Sequence, residues 1–254
     1  MPQDQTAIAA ATFEGAAAPA PVLLVCEHAS CDFPGEFGDL GLSDEVRQSH
    51  VAWDPGALAL SRQLAAALQA PLVFGQVSRL LYDCNRPPEA PDAIPVKSEI
   101  YEIPGNVGLS DEAKAERVSR IYDPFCAAMD KALEDVQPAM VVTVHSFTPV
   151  YFGAKRDVEI GILHDEDTRL ADVLLEELAG APHKVERNQP YGPQDGVTHS
   201  LKRHAMSRGI ANVMLEIRND LLNRPELVVR MGGLLSGALG RVMSRPDVRD
   251  WGRN

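Results

Sequence analysis

Three residues capable of chemistry sit at comparable places in the chain: His28, His145 and Glu216 each follow an apolar run, PVLLVC at 21–26, AMVVTV at 139–144 and IANVML at 210–215. Two imidazoles and a carboxylate gathered from strand ends can bind zinc, leave a position open for water and supply a general base. A lone histidine after a strand is by default a hydrogen-bonded loop residue. Two of them, with a strand-end glutamate, make metal-assisted hydrolysis an equal contender. The reading fails if ring nitrogens of His28 and His145 stand more than roughly 5 Å apart, because shared coordination at about 2.0–2.1 Å is then impossible.

Asp54 carries two readings, because Asp54-Pro55 has the form of a helix N-cap followed by proline at the first helical position, while its carboxylate also suits a metal. His50 lies four residues earlier, but Pro55 biases Asp54 away from helical geometry, so a shared helical face is not expected. Asn85-Arg86 precedes two prolines that stiffen the backbone, and reads either as a bidentate clamp on a substrate carboxylate or as a surface salt bridge. Arg79 and Arg218 carry the same two readings. Strand alternation places Glu216 and Arg218 on one side, where they could pair with each other. His164, His199 and His204 fall at element edges and read mostly as structural, although His199 and His204 flank a Gly/Pro-rich loop and are candidates to orient substrate or stabilise an oxyanion. His183 reads as a surface residue.

The elements that would position these groups are legible from periodicity. Apolar runs at 21–26, 72–74, 77–82, 139–144, 158–163 and 210–215 read as strands. Helices are expected over 55–70, from Ser110 to about 136, over 168–179, near 200–207 and over 225–243. Buried strands separated by amphipathic helices imply an α/β fold, a three-layer α/β/α arrangement around a mixed, mostly parallel sheet. The Pro- and Gly-rich stretch from 87 to 109 reads as a long excursion of the kind that covers a site. One domain over 21–245 is the simplest division, with the Ala-rich residues 1–20 as a mobile tail and 246–254 as a C-terminal tail.

Composition narrows the function. With 45% hydrophobic and 24% charged residues, the 254-residue chain matches ordinary globular proteins. A formal net charge of -12 and the absence of a basic run argue against a nucleic-acid partner. No apolar stretch of about 18 residues suggests a membrane span. Cys26, Cys31, Cys84 and Cys126 lack paired metal or redox spacing, and with a first twenty residues that carry no positive charge they suggest reduced thiols in a cytoplasmic protein.

The ordered blocks Cys26-Glu27-His28-Ala29-Ser30 with Phe33-Pro34, Ser78-Arg79-Leu80 leading to Asp83-Cys84-Asn85-Arg86-Pro87, His145-Ser146-Phe147, and Arg208-Gly209-Ile210 leading to Glu216-Ile217-Arg218 resemble the N-formylglutamate amidohydrolases. That family is similar in fold to zinc carboxypeptidases and aspartoacylases, so the resemblance implies a phosphorylase/hydrolase-like fold and one zinc ion. It implies His28 and His145 as ligands, Glu216 as the base, Asn85-Arg86 as the carboxylate-binding pair, and a small anionic N-acyl amino acid as substrate. Arg79 would assist at the oxyanion, with Ser146, Arg218 and His199 as further substrate-side candidates. Where those relatives place a third ligand, three residues after the first histidine, this chain has Cys31. Asp54 is the preferred substitute over Glu27, because adjacent strand residues face opposite ways, and over Cys31, although a thiolate suits zinc. The alternatives are an aspartoacylase- or carboxypeptidase-like hydrolase and a non-catalytic binder of anionic ligands.

Overall fold

The computed structural model describes residues 8–248 and residue 251. Its central sheet is built from β1 (Ala11–Glu14), β2 (Val22–Cys26), β3 (Leu72–Gly75), β6 (Met140–Phe147), β9 (Ile160–Leu163), β10 (Val185–Arg187) and β11 (Ala211–Arg218), in spatial order β1-β3-β2-β6-β11-β9-β10. Two small hairpins lie outside it, β4 (Lys97–Ser98) with β5 (Tyr101–Glu102) and β7 (Val150–Tyr151) with β8 (Ala154–Lys155). The helices are α1 (Asp44–Arg47), α2 (Ala57–Leu68), α3 (Asp111–Arg117), α4 (Asp123–Val136), α5 (Arg169–Leu178) and α6 (Pro225–Ser244). Pairing is parallel through β3-β2-β6-β11, and antiparallel where β1 joins β3 and where β9 joins β11. The sheet is therefore mixed and mostly parallel, as the sequence implies.

Every residue of β2 and β6 is buried, so alternation sorts them between two apolar layers. Val22, Leu24 and Cys26 join Leu60 and Leu64 of α2 and Leu235 and Leu239 of α6 in one cluster. Leu23 and Val25 join Phe125 and Met129 of α4 in the other. Each fully buried leucine in these layers contributes roughly 1.5–3 kcal/mol. The same parity governs β6, where Val142 and Val144 belong to the first cluster and Val141 to the second. His145 shares the parity of Val141, and Glu216 lies directly beside it in the β6–β11 register. Ser110 caps the helical run that begins with α3, its Oγ accepting from Ala113 N at 3.2 Å, and the run continues through a π-turn into α4.

Several expectations are corrected. Residues 77–82 form no strand: Ser78 N donates to Asp32 O, Leu81 N to Ser78 O, and Asn106 Nδ2 to Leu80 O, so turn and side-chain partners take the bonds a ladder would use. Within the stretch read as an N-terminal tail, Ala11–Glu14 forms the antiparallel edge strand on β3, where the alternating Thr12-Phe13 outweighs the Ala-rich context; residues 1–7 lie outside the described residues. In the stretch read as a C-terminal tail, Val248 is buried in the α2–α6 cluster and Trp251 packs against it. Residues 249, 250 and 252–254 lie outside the described residues. The segment near 200–207 is a π-turn followed by a 3-10 turn rather than an α-helix. Asp54 does not cap α2, which begins after Gly56 in a left-handed conformation at φ 84°.

Candidate active site

Backbone constraints bring the site together at the ends of β2, β6 and β11. After Cys26 the chain leaves β2 across β3, and this close approach needs Gly75, where a Cβ would stand 2.2 Å from Glu27 O. Asp54 N donates to His28 O at 2.9 Å, tying the segment before α2 to the segment after β2. Freed from capping, the Asp54 side chain turns inward, where Ser146 N donates to its Oδ2 at 3.3 Å. Ser146 Oγ donates to Pro55 O at 2.8 Å, so Ser146 holds the Asp54 segment in place.

The result is a triangle of three buried atoms. His28 Nδ1 and His145 Nδ1 are 3.2 Å apart, and Asp54 Oδ2 lies 3.3 Å from the first and 2.9 Å from the second. The requirement on the two imidazoles is met with room to spare. A tetrahedral ion bound at about 2.0–2.1 Å separates its ligand atoms by about 3.3 Å, close to these edges.

The outer nitrogens decide how the lone pairs point. His28 Nε2 is 2.7 Å from Asp83 Oδ1, and His145 Nε2 is 3.1 Å from Glu27 Oε2. With a proton on each Nε2, hydrogen-bonded to Asp83 for His28 and near Glu27 but outside hydrogen-bond geometry for His145, both Nδ1 lone pairs lie beside the Asp54 carboxylate. Three converging lone pairs repel one another unless a cation sits between them, and the carboxylate–histidine pairing is how metal-ligating imidazoles are oriented. The donor set therefore fits a divalent metal, with one position left for water or substrate.

The electrostatics agree. Burial opposes ionisation of Asp54, yet the imidazoles of His28 and His145 hold its carboxyl well below the usual range. Asp83 is likewise lowered against burial, by His28 and then Arg79. Burial and Arg79 oppose a charge on His28, but Asp83 and Asp54 outweigh them and raise its pKa. For His145, burial is overcome by Glu27 and Asp54, and the pKa rises well above the ordinary value. This field attracts positive charge, so a proton and a metal ion compete for the same nitrogens. Glu216 behaves oppositely: burial, with Asp54 adding repulsion, pushes it up to about 7 despite His145, Arg79 and His28.

These groups open into a cavity of about 580 Å³, also lined by Arg79, Arg86, Phe147, Tyr151, Arg156 and Tyr191. Arg79 bridges the site carboxylates, with Nη2 donating to Asp83 Oδ2 at 2.7 Å and Nη1 reaching Asp54 Oδ1 at 3.4 Å. Asn85 works mainly within the protein: Nδ2 donates to Val197 O at 2.6 Å and Oδ1 accepts from Ser200 N at 2.9 Å. Arg86 is fixed by Asp92 Oδ2 at 2.7 Å and by the carbonyls of Asn85 and Gly196. These bonds use Nε and Nη1. His50 lines the cavity with Nε2 2.8 Å from Glu99 Oε2.

Three candidates fall elsewhere. Arg218 does not pair with Glu216 or line the cavity: it donates to Asp220 Oδ1 at 2.8 Å and to Arg156 O at 3.1 Å, because β11 runs on past Glu216 and carries it toward the β8 side. His199 is not a lining residue either; its Nε2 lies 2.8 Å from Tyr122 Oη, and burial lowers its pKa. Cys31 packs into the cluster around Tyr82 and takes no part in the triangle. Conversely, Asp83 is the His28 partner although the sequence marked it only as a motif letter. Glu27 reaches His145 because it continues the alternation of β2, the argument that disfavoured it as a ligand. Arg156 and Tyr191 carry no local signal in the sequence.

The family model for N-formylglutamate amidohydrolase matches residues 20–223. The chain belongs to the N-formylglutamate amidohydrolase family. The fold superposes on the crystal structure of gene product Atu2144 from Agrobacterium tumefaciens with a TM-score of 0.90 and 52% identity, covering 92% of this chain and 95% of that one. N-formylglutamate amidohydrolase from Ralstonia eutropha JMP134 shares the fold at a TM-score of 0.62 and 20% identity, covering 95% of this chain and 99% of that one. No curated protein sequence matches the chain. Family membership makes the chain an amidohydrolase, and no helix among the described residues is long and apolar enough to cross a membrane.

Proposed function

We propose that this amidohydrolase is zinc-dependent and cleaves the amide of an N-acyl amino acid resembling N-formylglutamate, releasing the carboxylic acid and the free amino acid. The observation that carries the proposal is the triangle of His28 Nδ1, His145 Nδ1 and Asp54 Oδ2 with the Glu216 carboxyl beside it. His28, Asp54 and His145 would hold the zinc, which when bound supplies Lewis acidity and lowers the pKa of water. Nitrogen and carboxylate donors in a three-ligand set suit zinc chemistry.

The remaining steps belong to side chains. Glu216, poised at about 7, accepts a proton as water adds its oxygen to the acyl carbon. When the C–N bond breaks, Glu216 returns that proton to the leaving amine. Arg79, partly exposed to the cavity and anchored by Asp83, presents positive charge where the acyl oxygen becomes an anion. Arg86 directs its remaining donor at a substrate carboxylate.

A screen of N-formyl, N-acetyl and N-succinyl amino acids, with zinc and with chelator, tests the reading. Hydrolysis that chelation abolishes and zinc restores is the expected result. Stoichiometric zinc with no turnover of any acyl amino acid would overturn it.

A further inference from the structure

Four basic side chains other than histidine line the cavity: Arg79, Arg86, Lys97 and Arg156. Three are committed to carboxylates, Arg79 to Asp54 and Asp83, Arg86 to Asp92 and Lys97 to Glu102. Arg156 has no carboxylate within ion-pair distance among the described residues. Among the described residues its guanidinium makes one long hydrogen bond to the backbone, from Nη1 to Thr148 O at 3.4 Å, and it also interacts with the Tyr191 side chain.

The guanidinium is nevertheless held in place. Its Cζ lies 4.3 Å from the ring centre of Tyr151, 4.8 Å from that of Tyr191 and 5.6 Å from that of Phe147. Aromatic rings attract a cation through its faces and leave the in-plane N–H donors free. The backbone is pinned on both sides of the residue, Arg156 N donating to Pro149 O at 2.9 Å and Arg218 Nη1 donating to Arg156 O at 3.1 Å. A cation pre-oriented by rings, with unspent donors and a share of the same cavity as Glu216, is built to receive a planar anion. Arg86 has already been assigned one carboxylate, so Arg156 is available for a second.

Building on the function proposed above, we infer that Arg156 is a specificity-determining residue that binds the side-chain carboxylate of a dicarboxylic N-acyl amino acid. The preference for an acidic over a neutral side chain then resides in this residue. Arg218, once a candidate for substrate contact, acts here as a positioning residue for Arg156.

The test compares N-formylglutamate with N-formylglutamine, which differ only in that charge, using zinc-loaded wild type and Arg156→Gln. Binding of L-glutamate and L-glutamine is measured by calorimetry alongside. A charge-assisted hydrogen bond is typically worth 1.5–3 kcal/mol, so the glutamate-over-glutamine ratio in kcat/KM should fall roughly 10- to 100-fold in the variant, mostly through KM. The ratio of binding affinities should fall in parallel, and Arg156→Lys, which keeps charge but loses the planar fork, should retain part of it. An unchanged ratio in Arg156→Gln, or a wild type indifferent to the side-chain charge, overturns the assignment while leaving the hydrolase reading intact. Charge-selective binding that Arg156→Gln abolishes, in a wild type without turnover, upholds Arg156 and sinks the hydrolase reading instead.

Discussion

Replacing Glu216 with Gln separates its chemical role from its structural cost. Glu216 is 6% exposed and lies beside His145 in the sheet register, and its carboxyl is pushed from 4.5 up to about 7, chiefly by burial. A carboxyl raised in the folded state takes up protons on folding between those two pH values, so its contribution weakens the fold as pH rises through that window and levels off above about 7. At 1.36 kcal/mol per pH unit, the shift from 4.5 to about 7 amounts to about 3 kcal/mol. Gln keeps the shape without the charge. In urea unfolding with chelator present, the variant should therefore gain on wild type by up to about 3 kcal/mol between pH 4.5 and 7, with no further gain by pH 8. With zinc restored, the same variant should retain metal and lose turnover by about 10²- to 10⁴-fold, the usual span for a general base. A stability difference independent of pH would refute the assigned burial penalty, and undiminished turnover would refute the assigned role.

Other expectations follow from the same geometry. Asp83→Asn removes the acceptor charge 2.7 Å from His28 Nε2, and a competition titration against a chromophoric chelator should show zinc affinity about 10- to 100-fold weaker. Gly75→Ala sets a Cβ 2.2 Å from the Glu27 carbonyl oxygen, so chemical denaturation should report a loss of about 1–3 kcal/mol or more, with weaker zinc binding because that loop leads directly to His28. Zinc at about 100 times its Kd should stabilise the fold by about 2.7 kcal/mol over the chelated protein in thermal melts, and a melt insensitive to zinc would speak against the triangle as its site.

Much of the architecture could be read from local pattern. The three runs that became β2, β6 and β11 are apolar along nearly their whole length because both faces are buried, and that signal needs no knowledge of neighbours. Residues 77–82 show its limit. Val77, Leu80, Leu81 and Tyr82 are as buried as strand residues, but their backbone is satisfied by turns and distant side chains, which hydrophobicity does not report.

Types of residue and the parity of strands were enough to nominate His28, His145 and Glu216, because a ligand or base must stand where a buried strand meets its loop. Whether Asp54 capped a helix or joined the triangle depended on Gly56 turning left-handed and on Ser146 reaching across from β6, both decisions of the assembled chain. The same holds for Asp83 behind His28, for Arg218 drawn away to Asp220, and for Arg156 among its three rings. Sequence declares what a side chain can donate or accept; only the packed fold sets which charges lie within a few ångströms of one another, where Coulomb interactions in a partly dry interior become large enough to choose among the alternatives.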